Sequence, residues 1–114
     1  MESLPVINKT YEVYKGIVEI NHSMTKRWLY SLGFNLENSI LECMENLVMA
    51  KNAPRPLKAG YLLKADSKLE VARLKLRLFL ELHLANETRV FQMQAKLEEI
   101  GRMLGGWLKS LHNQ

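Results

Sequence analysis

Leu62-Leu63-Lys64-Ala65-Asp66-Ser67-Lys68-Leu69-Glu70-Val71-Ala72-Arg73-Leu74-Lys75-Leu76-Arg77-Leu78-Phe79-Leu80 settles the fold class. Neither proline nor glycine interrupts it, and its apolar residues recur at three and four, the period of a helix. At about 100° per residue, Leu62, Ala65, Leu69, Ala72, Leu76, Phe79 and Leu80 fall within an arc of about 100°. That arc is wide enough to face a bundle core. Leu63, Val71, Leu74 and Leu78, followed by Leu82, collect on roughly the opposite side. Single surface leucines are ordinary. Five at helical spacing on the far side of a core helix instead predict an oligomer interface.

Charges fill the gaps between the two stripes. Lys64, Lys68 and Lys75 share one flank; Arg73 and Arg77 sit one turn apart on the other. Residues 54–80 hold seven basic side chains against Asp66 and Glu70, a net of +5, while residues 1–53 sum to −1 and residues 81–114 to zero. The whole excess of +4 therefore lies on this one segment. Charge gathered on one rod suits an anionic partner, of which nucleic acid is the commonest. In a monomer these cations could equally be solvated edges whose stems cover the leucines. In a ring of subunits their fields would add, and phosphate contacts would become strongly salt-sensitive.

Working outward, the helix is expected over about 57–84. Asn52-Ala53-Pro54-Arg55-Pro56 ends the helix before it and lets this one begin. The preceding helix carries Leu29, Leu32, Leu36, Ile40, Cys43, Leu47 and Ala50 on one stripe, with Thr25 as its candidate cap. Before the His22-Ser23-Met24-Thr25 break, a first helix opens at Pro5, tolerable in a first turn. Its leading stripe reads Ile7, Tyr11, Tyr14 and Val18, with Val6, Val13, Ile17 and Ile20 beside it. On the far side, Asn86 reads as an N-cap with Glu87 in the first turn. The last helix carries Val90, Met93, Leu97, Ile100, Leu104, Trp107, Leu108 and Leu111. No segment alternates like a strand. An all-α, antiparallel four-helix bundle in one domain, residues 1–114, is the simplest packing.

A chain of 114 residues buries roughly two-thirds of its unfolded surface, enough for one modest core. The single cysteine, Cys43, excludes an internal disulfide framework and fits a reducing, cytoplasmic setting. It lies in an apolar periodic run, where a buried, inert thiol is expected. Met1-Glu2-Ser3-Leu4-Pro5 has no signal-peptide character, and no run is long and apolar enough for a membrane span.

Catalytic chemistry finds no foothold. His22, His83 and His112 are dispersed, with no cysteine or carboxylate at metal-ligand spacing, so neither metal nor other cofactor is expected. Lys26-Arg27-Trp28-Leu29-Tyr30 mixes basic and aromatic residues, which reads either as an aromatic staple at a helix start or as a nucleic-acid clamp. Gly101, Gly105 and Gly106 lie within six residues, although each glycine inside a helix costs about 1 kcal/mol relative to alanine. The apolar period continues through them. A continuous helix with close helix packing at Gly101, Gly105 and Gly106 is therefore expected, the alternative being a loop at Gly105-Gly106.

Glu99-Ile100-Gly101-Arg102-Met103-Leu104-Gly105-Gly106-Trp107-Leu108-Lys109 closely resembles the end of the accessory variability determinant (Avd) proteins of diversity-generating retroelements. The stretch Leu69 to Phe79, the opening Pro5-Val6-Ile7-Asn8-Lys9-Thr10-Tyr11 and the Leu32-Gly33 pair extend the resemblance over most of the chain. The resemblance implies a ring-like homopentamer of four-helix bundles with a basic surface around its axis. Such proteins have no catalysis of their own. They bind a reverse transcriptase and RNA or DNA, and support synthesis of mutagenised complementary DNA in bacteria, archaea or their phages. The family's nucleic-acid-binding positions carry over to Arg73 and Arg77, and then to Lys64, Lys68 and Lys75. One departure is visible: Gly33 is followed by Phe34 and Asn35, where the family often has a basic residue two positions after the Leu-Gly pair.

Two other readings compete. A sister family, the four-helix proteins of ribosomal RNA intervening sequences, carries an Asn-Ile-Ala-Glu-Gly-like turn after helix two, whereas this chain has Glu45-Asn46-Leu47-Val48-Met49-Ala50. A protein-protein adaptor, docking a partner helix on the leucine stripe, is the other.

Overall fold

The structure is a computed structural model that describes residues 3–112; Met1 and Glu2 of the N-terminal stretch, and Asn113 and Gln114, lie outside it. Helix α1 runs Ser3–Asn21, a short α2 Lys26–Trp28, α3 Phe34–Asn52, α4 Arg55–Glu81 and α5 Glu87–His112. A π-helical turn, Leu29–Gly33, joins α2 to α3, so these three segments form one rod. The result is four antiparallel rods with no strand among the described residues. Around the bundle the order is α1, α3, α4, α5, with α4 packed along α3 and α5, and α1 closing the circle between α3 and α5.

The core stripe read from α4 is the one the structure buries: Leu62, Ala65, Leu69, Ala72, Leu76 and Phe79 are inside, and Leu80 is half-buried. On α5, Val90, Met93, Leu97, Ile100, Leu104 and Trp107 are buried, with Leu108 and Leu111 packed at the edge. Each fully buried large side chain contributes about 1.5–3 kcal/mol relative to exposure. The expected stripe of the second rod is buried from Leu36 through Ala50, while Leu29 and Leu32, inside the π turn, are only half-buried.

Helix α1 differs from its expected phase. Val6, Val13, Ile17 and Ile20 are the core face; of the stripe expected to lead, Ile7 and Tyr14 are half-buried and Tyr11 and Val18 are exposed. Both stripes are apolar, and the position of α3 and α5 decides between them.

Helix ends follow local rules. Ala53 is extended, as a residue before proline must be, and Pro54 caps α4 with Pro56 in its first turn. The helix therefore begins two residues earlier than expected. It also ends three residues earlier, at Glu81. The Leu84 N–H reaches back to the Phe79 carbonyl at 3.0 Å and the His83 N–H to the Leu80 carbonyl at 3.2 Å. His83 has φ 54°. This is a Schellman termination with histidine in the left-handed seat that glycine usually takes. Asn86 is the N-cap expected of α5, its Oδ1 accepting from the Arg89 N–H at 3.0 Å. Thr25 occupies the cap position of α2, but its side chain makes no cap bond.

The π turn is tied to α1 through Asn21, buried at the end of that helix. Its Nδ2 donates to the Gly33 carbonyl at 2.8 Å and to Glu37 Oε2 at 2.7 Å. A Cβ at position 33 would lie 3.0 Å from Asn21 Oδ1, which explains the glycine.

Candidate nucleic-acid and subunit interface

Helix α4 distributes its seven cations among different tasks. At its start, Arg55 Nη2 donates to the Leu111 carbonyl at 3.1 Å, and Lys58 Nζ donates to the Ala50 and Lys51 carbonyls at 2.8 and 2.9 Å. Both therefore satisfy the last turns of α5 and α3, where the helix dipole is negative. Further along, Lys68 Nζ lies 2.6 Å from Glu42 Oε2 on α3, and Lys75 Nζ donates to Ser39 Oγ. The hydrogen bond and charge of Lys68 hold the Glu42 carboxyl below the usual carboxylate range. Burial pulls the Lys75 ammonium below the usual lysine range; Glu42 opposes that and Lys68 adds to it.

Of the expected nucleic-acid-binding set, Lys68 and Lys75 thus lean onto α3. Lys64 sits with its Nζ 5.7 Å from the Tyr61 ring centroid and makes no ion pair among the described residues. Arg73 and Arg77 lie on the other flank, as the spacing required, in a cleft of about 470 Å³ between α4 and α5 lined with Glu70, Leu74, Gln94 and Glu98. Arg77 Nε is 3.7 Å from Glu81, and Arg102 Nη1 is 3.8 Å from Glu98. Arg73 makes no ion pair among the described residues. The arginine flank of one subunit therefore mixes guanidinium groups with carboxylates, and its field is weaker than the segment's charge count suggests.

The second leucine stripe does stand outside the subunit. Leu63, Val71, Leu74 and Leu82 are exposed, Leu74 by 59 %, and Leu78 is half-buried. Leu82 lies just beyond the end of α4.

Helix α5 is continuous through its glycines, as expected. The close packing expected at Gly101, Gly105 and Gly106 is not made within the subunit. A Cβ at Gly101 would meet Leu69 Cδ2 at an ordinary 3.5 Å, and at Gly105 or Gly106 nothing within 4 Å. The crowded glycine is Gly16, whose Cβ would come within 2.6 Å of Met93 Sδ.

Periodicity did not expose the α1–α3 seam. Ile7, Tyr11, Met44, Val48 and Met49 line an apolar cleft there of about 620 Å³, with Asn8 and Glu45 at its edge. The available signal was the doubled stripe of α1, which parallels that of α4. Cys43 is buried and its thiol is pushed up to about 12, mainly by burial, as an inert core cysteine should be. At the start of the second rod, the Arg27 guanidinium lies 5.2 Å from the centroid of half-buried Trp28, while exposed Tyr30 meets Phe34 edge-on at 5.5 Å. Among the described residues, no group of three or more His, Cys, Asp or Glu side chains could hold a metal, and no helix is long and apolar enough to cross a membrane.

A sequence model described as bAvd-like matches residues 5–111. Comparison with curated proteins gives no match.

Proposed function

The chain belongs to the bAvd-like family, and from that premise we propose that it is a nonenzymatic accessory protein of a diversity-generating retroelement. It acts in the cytoplasm as a ring-like homopentamer that binds the reverse transcriptase and RNA or DNA, supporting mutagenic complementary-DNA synthesis. The observation that carries this reading is the family match, which takes in all of α4 and nearly all of α5.

The chemistry assigned to the residues follows their positions. Arg73 and Arg77 present guanidinium forks suited to bidentate phosphate contact. Lys64 supplements them on the opposite flank. Lys68 and Lys75 hold α4 against α3 and give the polyanion less. The exposed band Leu63, Val71, Leu74, Leu78 and Leu82 closes against sister subunits, repeating the arginine flank around the ring so that several weak fields add.

Fluorescence anisotropy with labelled RNA and DNA across a salt series tests the binding. Binding at low salt should weaken as salt rises. The double variant Arg73→Ala/Arg77→Ala should bind all sequences more weakly, with the helical spectrum unchanged, because phosphate contacts carry no base information. Its salt slope should fall by about 1.4 for each engaged subunit on single strands. No binding at low salt, or binding indifferent to salt, overturns the proposal. A protein-protein adaptor is the second reading, favoured by the leucine band. It requires partner binding that survives the arginine changes and is lost in Leu74→Glu.

A further inference from the structure

Lys26-Arg27-Trp28-Leu29-Tyr30 takes no part in the α4 flank, and its rings are not packed away as an aromatic staple would be. Tyr30 is 65 % exposed and Phe34 is 41 % exposed. Trp28 is half-buried, with the Arg27 guanidinium 5.2 Å from its ring centroid. The backbone is unusual here too. The Phe34 N–H donates to the Leu29 carbonyl, five residues back, and this bond closes the π turn. Such turns are rare and recur at functional sites. In the wider turn, residues four apart stand nearly in line along the axis, and Tyr30 and Phe34 meet edge-on at 5.5 Å.

The charges around these rings are unequally paired. Each carboxylate near this end of the bundle already holds a partner: Glu19 with Arg89, Glu37 with Asn21, Glu81 with Arg77 and Glu87 with His83. Lys26 and Arg27 are exposed and make no ion pair among the described residues. The sum of −1 over residues 1–53 hides this, because carboxylates elsewhere on the first two rods offset the two cations.

We infer that the start of the second rod is a separate site for single-stranded nucleic acid, in which Tyr30 and Phe34 stack unpaired bases and Lys26 and Arg27 hold the phosphates. The inference rests on the reading that the chain binds nucleic acid, and adds a surface apart from Arg73 and Arg77. Those line the cleft between α4 and α5, and α5 lies diagonally across the bundle from α3. Two features favour a strand of bases over a protein partner. The large exposed apolar side chains within residues 22–35 are both aromatic, whereas the outer band of α4 is aliphatic. The neighbouring cations lack carboxylates, as a phosphate backbone requires. Every base has a π-face, so the site tolerates any sequence. Bases stacked inside a duplex have no free face to offer, so the site selects unpaired strands.

Fluorescence anisotropy with a labelled oligodeoxythymidylate, and with a duplex of the same length, tests the site. Tyr30→Ala should weaken single-strand binding by about 5- to 150-fold, the worth of one stacked base. Duplex binding and the salt slope should stay unchanged, because no phosphate contact is removed. Tyr30→Trp should retain the affinity. Lys26→Ala/Arg27→Ala should instead lower the single-strand salt slope by about 1.4. If Tyr30→Ala binds the single strand as tightly as the unaltered chain, this inference fails while the α4 arginines stand. If it loses single-strand and duplex binding equally, the site does not select unpaired bases and the inference fails. Loss of assembly or of polymerase binding, with single-strand affinity intact, would assign the patch to a protein partner and overturn it. If the unaltered chain binds neither probe, this inference and the reading beneath it fall together. Should circular dichroism show Tyr30→Ala misfolded, Tyr30→Leu, which keeps bulk without a π-face, replaces it with the same expected outcomes.

Discussion

Replacing Gly105 and Gly106 by alanine should make the protein more stable, and the size of the gain follows from the geometry. Both residues lie inside α5, well away from its ends, and both are exposed. A methyl group at either would touch nothing within 4 Å. No steric cost therefore offsets the helix preference for alanine, about 0.8–1.0 kcal/mol per site. Much of that arises in the unfolded chain, where glycine has more conformations to lose. Together the two changes should add about 1.6–2 kcal/mol. In a domain of this size that raises the melting temperature by roughly 5–9 °C. Urea unfolding followed by far-ultraviolet circular dichroism measures the gain, with an unchanged m-value showing that the native surface is the same. Gly101→Ala is the internal comparison, since its methyl would rest on Leu69 at ordinary contact distance. If Gly105→Ala or Gly106→Ala loses stability, a backbone that the subunit does not supply approaches α5 there, and the reading of an open face is wrong.

Other outcomes follow from single features. His83→Gly should stabilise by about 0.5–1 kcal/mol in thermal unfolding, because glycine removes the cost of the left-handed conformation at the end of α4. Gly33→Ala should destabilise by about 1–3 kcal/mol, since its methyl presses on an Asn21 amide pinned by two hydrogen bonds. The depressed folded-state pKa of Glu42 stabilises the fold above the unfolded carboxylate value, and this contribution is lost as pH falls through the lower folded value. An acid titration of stability should lose that component in Glu42→Gln. Cys43, with its thiol pushed up to about 12, should react with a thiol reagent at neutral pH only as fast as the bundle opens.

What was legible in the sequence was what local periodicity and local capping determine. The core faces of α4 and α5, the Asn86 cap and the proline break before α4 each depend on residues within a turn or two. The rest depended on neighbours. Helix α1 has two apolar stripes of similar strength, and only the positions of α3 and α5 make Val13 and Ile17 core and leave Tyr11 and Val18 outside. Nothing in the period of α4 shows that Lys68 meets Glu42, Lys75 meets Ser39 and Lys58 caps α3, because those partners lie on another rod. The glycines of α5 suggested a close approach, yet the tight contact is at Gly16 against Met93. The π turn is held by Asn21, which lies on another rod, α1, and donates to the Gly33 carbonyl.

The mass of the unaltered chain in solution tests the central claim most directly. Light scattering at micromolar concentration should return a discrete assembly, because the exposed band of α4 needs another copy to cover it, and for the proposed pentamer its mass should be about five times the 13.2 kDa subunit mass. A stable species of 13.2 kDa would mean that Leu74 and its band face water in solution, and would contradict the account.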